Sequence, residues 1–325
     1  MFTKTIDVER VEDIVNIFGD FDENIKRISK EFSVSITQHG GTLTLSGKPE
    51  NVMKSERLVN TLLVMIGKGE QINDQSLNYA ISLVNENAEQ AITAVTDAEC
   101  ICITSRGKPI KAKTVGQSKY IEAISKNTIT IGIGPAGTGK TYLAVAMAVR
   151  AFRNHEVSKI ILTRPAVEAG ERLGFLPGDL QQKVDPYLRP LYDGLFDTMG
   201  AETFQKCQER GEIEVVPLAY MRGRTLENSF IILDEAQNTT GEQMKMFLTR
   251  LGYNSKVIVT GDITQTDLPD GKKSGLKEVI KILKNIDDIA IIKLSDKDIV
   301  RHRLVQKIIT AYEKYEEVMV RNEKR

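Results

Sequence analysis

Val11, Ile14, Val15 and Phe18 recur at helical spacing, Gly19 interrupts the run, and Ile25, Ile28 and Phe32 resume it. Residues 9–32 therefore predict a helical segment with a break. Ser33-Val34-Ser35-Ile36-Thr37 and Thr42-Leu43-Thr44-Leu45-Ser46 alternate apolar and polar positions around Gly40-Gly41, which predicts a β-hairpin. Val52 to Ile66 then reads as an amphipathic helix, and Gln75 to Thr96 as a more polar helical stretch. Ile101-Cys102-Ile103 reads as a short strand, and Ser105 to Thr114 as a basic, turn-rich connector. From Lys119 onward strands alternate with helices. The expected strands are Thr128–Ile133, Lys159–Thr163, Glu214–Leu218, Ser229–Leu233, Lys256–Thr260 and Ile289–Leu294. Most are short, β-branched, apolar runs, as a parallel sheet buried on both faces requires. The pattern predicts an N-terminal α/β domain with a helical extension over 1–104 and a larger α/β domain over 105–325. A long stretch, 165–212, interrupts the alternation and is marked by Gly and Pro.

Composition refines this picture little. Hydrophobic residues make up 41% and charged residues 27% of 325, as in globular proteins. No apolar run reaches the roughly 18–20 residues of a membrane span, and the first residues lack a signal-peptide pattern, so a cytoplasmic protein is expected. Cys100, Cys102 and Cys207 are too few and too scattered for a disulfide framework. His39, His155 and His302 have no clustered partners that would make them metal ligands. Charge adds one asymmetry. Residues 1–100 carry a balance of −7 and residues 101–325 one of +7, so nucleic-acid affinity by bulk charge is expected in the second part.

The candidate chemistry lies in the second part. Gly134-Pro135-Ala136-Gly137-Thr138-Gly139-Lys140-Thr141 matches G-x-x-x-x-G-K-[ST], between an expected strand and an expected helix. Such a loop wraps phosphate with its N–H groups. Its lysine, Lys140, reaches the β- and γ-phosphates, and its last hydroxyl, Thr141, ligates Mg2+. Phe230–Leu233 delivers Asp234-Glu235-Ala236-Gln237-Asn238 to a strand end. Asp234 is placed to hold Mg2+ and Glu235 to orient the attacking water. A third strand ends in Gly261-Asp262-Ile263-Thr264-Gln265, where Gln265 is a candidate γ-phosphate contact and Asp262 a supporting group. Upstream, Gln117 carries the donor and acceptor that read adenine, with Tyr120 stacking or packing nearby. No guanine-reading Asn-Lys-x-Asp motif occurs, which favours ATP. Arg164, Arg222, Arg224, Arg250, Arg301 and Arg303 are candidates to stabilise transition-state charge, with Arg164 directly at a strand end.

These residues resemble the PhoH-like ATPase family. The likeness is carried by Gly134–Thr141, Thr163-Arg164-Pro165-Ala166 with Leu173-Gly174-Phe175-Leu176-Pro177-Gly178, Asp234–Asn238, and Gly261–Gln265 with Ser274-Gly275-Leu276. The resemblance implies a P-loop NTPase (RecA-like) parallel sheet with helices on both faces, similar to the first motor domain of superfamily 1 helicases. It also implies ATP hydrolysis, links to RNA metabolism and ribosome maturation, and partnership with an endoribonuclease of the YbeY type. The alternative is a slow nucleotide-state switch or scaffold that recruits such a ribonuclease without motor activity. Residues 9–66 look like a reduced KH-type RNA-binding module whose Gly-x-x-Gly turn reads Gly19-Asp20-Phe21-Asp22. The missing second glycine and the two acids favour assembly or docking over RNA clamping. The superfamily 1 motors place ATP between two sheets, and this chain has room for one. The expectation is therefore a homo-oligomeric ring, a hexamer, with Arg250, Arg301 or Arg303 acting on the neighbouring subunit's nucleotide.

Overall fold

The computed structural model describes residues 2–165, 180–269 and 272–300, with 304, 305, 308, 311, 312 and 315 beyond them, the side chains of 94 and 180–186 excepted. The described chain divides into two units. One holds Met1–Asp97 with Lys113–Val115, the other Ala98–Ala112 with Gly116–Ile299.

The first unit begins with a strand that the hydrophobic pattern did not predict, β1 (Phe2–Asp7). Phe2 and Ile6 are its apolar residues and Lys4 separates them on their face, so no apolar stripe announces it. It forms because β3 offers an unpaired edge. Helices α1 (Val11–Phe18) and α2 (Glu23–Phe32) follow, then β2 (Ser35–His39), β3 (Thr42–Gly47) and α3 (Pro49–Gly67). The strands pair antiparallel in the order β1-β3-β2. Leu43 and Leu45 in β3 are fully buried, as are Leu58 and Leu62 in α3. The expected break between the first two helices is real, and Phe21 and Asp22 within it have positive φ (53° and 62°). The stretch expected as one helix over Gln75–Thr96 is two, α4 (Asp74–Asn85) and α5 (Ile92–Thr96). Asn87, in left-handed conformation at φ 56°, ends the first.

The second unit opens with a small antiparallel hairpin, β4 (Cys102–Ile103) and β5 (Pro109–Ile110). Residue 105, the expected start of the second domain, falls in its turn. Both strands belong with this unit because Ile101, Cys102 and Ile110 bury in its core. Then come α6 (Val115–Lys126), β6 (Ile129–Ile133), α7 (Lys140–Arg153), β7 (Lys159–Arg164), α8 (Leu180–Met199) and α9 (Ala201–Glu209). The chain continues through β8 (Ile213–Pro217), β9 (Ser229–Leu233), α10 (Gly241–Leu248), β10 (Lys256–Gly261), α11 (Gly275–Ile282) and β11 (Ile289–Lys293). All six expected strands are present, each within a residue of its expected ends. The long stretch between β7 and β8 contains two helices, α8 and α9, among its described residues.

The six strands form one parallel sheet in the order β11-β6-β10-β9-β7-β8. Alternate residues of each strand enter opposite layers. Ile160, Leu162, Phe230, Ile232 and Ile258 pack with α7 and α8, while Ile131, Ile161, Ile231, Leu233, Val257 and Val259 pack with α10 and α11. Both faces are covered, which is why these strands read as continuous apolar runs rather than alternating ones. The C-terminal ends of β6, β7, β9 and β10 thus lie along one edge, where ligands bind in sheets of this kind.

Ile258 is fully buried near the middle of β10, with paired strands on both sides. Ile258→Ala should cost about 2–5 kcal/mol by lost burial and cavity formation. A lower urea-unfolding midpoint with unchanged denaturant dependence is the expected measurement.

Candidate functional site

Five consecutive buried residues of β6 bring the chain to Gly134, whose N–H donates to the Gly261 carbonyl (3.2 Å) at the end of β10. The loop then turns back on itself through Gly137 and Gly139, at φ 86° and 81°, where a side chain is strained. Gly139 is also the residue at which α7 starts, so the loop's N–H groups and the helix N-terminus share one concave face. Thr138 is fully buried, its hydroxyl bonded to the Pro135 carbonyl (2.9 Å). Lys140 is 8% exposed and its ammonium is turned in on the loop, donating to the Gly134 and Pro135 carbonyls at 2.6 and 2.8 Å.

The Thr141 hydroxyl donates to Asp234 Oδ1 at 2.6 Å, and the Thr260 hydroxyl donates to the same oxygen at 2.7 Å. Asp234 is 5% exposed. The sheet order explains the meeting. β10 lies between β6 and β9, so Thr260 near its end stands beside the residue that follows β9.

Glu235 follows in left-handed backbone conformation (φ 52°), rare for a residue with a side chain and typical of sites where geometry is held against local preference. Its carboxylate is pinned at both oxygens. Arg164, at the end of β7, lies 3.1 Å from Oε1, and Gln237 Nε2 donates to Oε2 at 2.5 Å. Arg164 also donates to the Tyr187 carbonyl (2.9 Å). Gln237 Oε1 accepts the Asp262 N–H at 3.0 Å, and Asn238 Oδ1 accepts the Asp267 N–H at 2.8 Å. Asp262 Oδ1 takes the N–H and hydroxyl of Thr264, while its buried Oδ2 has no hydrogen-bond partner.

A cavity of about 240 Å3 lies between these groups. Ala136, Lys140 and Thr141 line it on the loop side, Asp234 and Glu235 at the end of β9, and Asp262 and Gln265 after β10. Three separately chosen sequence motifs therefore converge on one space. Tyr142 lines it as well, its hydroxyl donating to Asp197 Oδ2 (2.7 Å); burial and that carboxylate push the phenol's pKa up.

The two residues expected near adenine sit deeper. Gln117 is 3% exposed and its amide donates to the Thr138 carbonyl at 3.0 Å, bracing the loop from behind. Tyr120 is fully buried with its ring packed on Gly132 in β6. Burial, with the Asp234 carboxylate adding to it, holds its phenol protonated. The arginines divide. Arg164 is at the site. Arg224 makes a two-oxygen ion pair with Glu214 (2.8 and 3.0 Å), and Arg250 donates to the Met246 and Arg224 carbonyls. Arg222 is exposed. Arg301, Arg303 and the Leu173–Gly178 segment lie outside the described residues.

Thr260, Gln237 and Asn238 were not singled out from sequence as site residues. Gln237 and Asn238 carried a signal, two carboxamides one residue beyond Asp234-Glu235; Thr260 carried none beyond its place at a strand end.

A parallel sheet with a glycine-rich loop after β6 and a carboxylate after β9, with one strand between them, defines a P-loop NTPase fold of the RecA-like kind. The sequence profile described as "PhoH-like protein" matches residues 109–313, and the chain belongs to this family. It is 52% identical over 303 residues to the PhoH-like protein of Bacillus subtilis (strain 168), covering 93% of this chain and 95% of the relative. It is 51% identical over 304 residues to the PhoH-like protein of Mycobacterium tuberculosis (strain ATCC 25618 / H37Rv), covering 94% and 86%. Against Protein PhoH of Escherichia coli (strain K12) the identity is 41% over 268 residues, covering 82% and 73%. No described helix is long and apolar enough to cross a membrane.

Gly139→Ala tests the loop geometry. The added methyl at φ 81°, 3.2 Å from the Gln117 amide, should cost about 1–2 kcal/mol in chemical denaturation.

Proposed function

We propose that this protein binds ATP with Mg2+ and hydrolyses its terminal phosphoanhydride bond. The observation that carries the proposal is the contact between the Thr141 hydroxyl and the buried Asp234 carboxylate, with Glu235 one residue further on at the cavity wall. The donor set fits a magnesium ion. It consists of hard oxygens only, and no described group of three His, Cys, Asp or Glu residues could hold a metal unaided, so phosphate and water must complete the shell. When bound, Mg2+ neutralises charge on the β- and γ-phosphates.

In this reading Lys140 leaves the loop carbonyls for the phosphate oxygens, which the loop N–H groups surround. Thr141 and Asp234 hold the metal. Glu235 orients the attacking water, and Arg164 fixes the carboxylate that does so. Gln265 faces the γ-phosphate from the loop after β10. Gln117 supports the loop and contacts adenine. Tyr120 buttresses β6 from within the core.

The ATPase is coupled to RNA or a ribonucleoprotein, a reading supported by family membership and by the +7 balance of residues 101–325. The catalytic arginine comes from a neighbouring copy in a ring. Arg164, Arg224 and Arg250 are engaged within their own chain, so Arg250 drops out of the candidates for that role and Arg301 or Arg303 supplies it.

Lys140→Ala should reduce ATP turnover by about a hundredfold or more, with loss of nucleotide affinity, because it removes the charge that pairs with phosphate. Glu235→Gln should leave ATP bound while hydrolysis falls about a hundredfold or more to a slow, still measurable single-turnover rate; equilibrium binding and phosphate release measured side by side separate the two. Rates with and without total RNA distinguish a motor, which RNA stimulates several-fold, from a slow switch, which it does not. Native mass tests the ring. Purified protein that neither retains ATP nor releases phosphate with Mg2+ in any assembled form overturns the proposal.

A further inference from the structure

Gln237 is 1% exposed, yet neither face of its carboxamide is spent on secondary structure. The carbonyl accepts the N–H of Asp262, the first residue after β10, and the amide donates to the Glu235 carboxylate. One side chain thus touches two strand ends. A residue beyond, Asn238 accepts the N–H of Asp267. The loop that carries Gln265 is therefore hung at both ends, residues 262 and 267, from two adjacent carboxamides. Its exit is tied as well, since the Gly275 N–H donates to the Thr239 carbonyl at 2.7 Å.

The close approach has a visible cost. A Cβ on Gly261 would lie 2.7 Å from Gln237 Oε1, so only glycine lets the carboxamide reach past the end of β10. Glu235 in turn accepts left-handed backbone to meet it. If Gln237 only filled space, an apolar side chain would serve better, because a buried amide must find partners for every polar atom. The Glu235 carboxylate does not depend on this amide for a partner, because its side chain is 35% exposed and already paired with Arg164.

We propose that Gln237 is a positioning residue that yokes the Glu235 carboxylate to the loop bearing Gln265, so that the water-orienting group and the phosphate-facing group move as one body. This inference rests on the ATPase reading above. A γ-phosphate that draws on Gln265 shifts the Asp262 end of the loop, and Gln237 turns that shift into a reorientation of Glu235. Loss of the phosphate relaxes both together, and the loop passes the change on to α11 through Gly275.

Two substitutions separate positioning from packing. Gln237→Glu keeps the size and the acceptor for the Asp262 N–H but turns the donor toward Glu235 into a repelling oxygen. Gln237→Met removes both bonds. Each should lower kcat about 10–100-fold while KM for ATP stays within about threefold, the split expected when only a transition-state group is misplaced. In the Glu235→Gln background, single-turnover hydrolysis should fall no further on adding Gln237→Met, because a positioning residue has nothing left to position. The reciprocal pair Glu235→Gln with Gln237→Glu re-creates a donor and an acceptor. It should regain most of the thermal midpoint lost by Gln237→Glu alone, without regaining activity.

Unchanged kcat in both single variants overturns the proposal, as does a multiplicative loss in the double variant. If wild-type protein hydrolyses no ATP, the ATPase reading fails instead. The stability cycle still decides whether the two side chains are coupled: recovery in the reciprocal pair upholds the yoke, and additive losses remove it.

Discussion

The carboxylate of Asp234 is the point on which this unit's architecture turns. Buried and accepting two hydroxyls at one oxygen, it joins the end of β9 to the start of α7 through Thr141 and to the end of β10 through Thr260. A buried carboxylate so placed needs its donors, since desolvation without them is costly. The donors exist only because the sheet inserts β10 between β6 and β9. The strand order, the start of α7 and the residue before Glu235 thus meet at one negative group at the sheet's edge.

Around that group the wall of the cavity is a mutual bracing of side chains rather than a set of independent contacts. Arg164 from β7 and Gln237 from the turn after β9 hold the two oxygens of Glu235. Gln117 from α6 holds the phosphate loop through the Thr138 carbonyl. Each brace comes from a different element, so the site's shape reports the packing of the whole second unit.

Much of the second unit was legible because its signals are local. Buried parallel strands read as apolar runs, and Gly134–Thr141 and Asp234-Glu235 are contiguous motifs whose chemistry demands their order. What escaped were interactions set by strand adjacency. Thr260 is an unremarkable residue until β10 is known to lie beside β9. Gln237 reads as motif decoration until Asp262 is brought to it. Gln117 was expected at the adenine and Tyr120 to stack or pack nearby; the bond from the Gln117 amide to the Thr138 carbonyl and the burial of Tyr120 inside the core were not legible, since helical periodicity does not tell which buried layer a side chain enters. β1 of the first unit was missed for a related reason: its pairing with β3 is a long-range event that six mostly polar residues do not advertise.

The placing of β11 has a consequence in time. Ile289–Lys293 pairs with β6, about 160 positions earlier, and the Leu294 N–H donates to the Ile133 carbonyl just ahead of the phosphate loop. A growing polypeptide therefore holds Gly134–Thr141, Asp234–Asn238 and Gly261–Gln265 before β6 gains its outer neighbour. Pairings that span so much chain close slowly. The strand that leads into the glycine-rich loop thus gains its outer neighbour only through a pairing that spans about 160 positions.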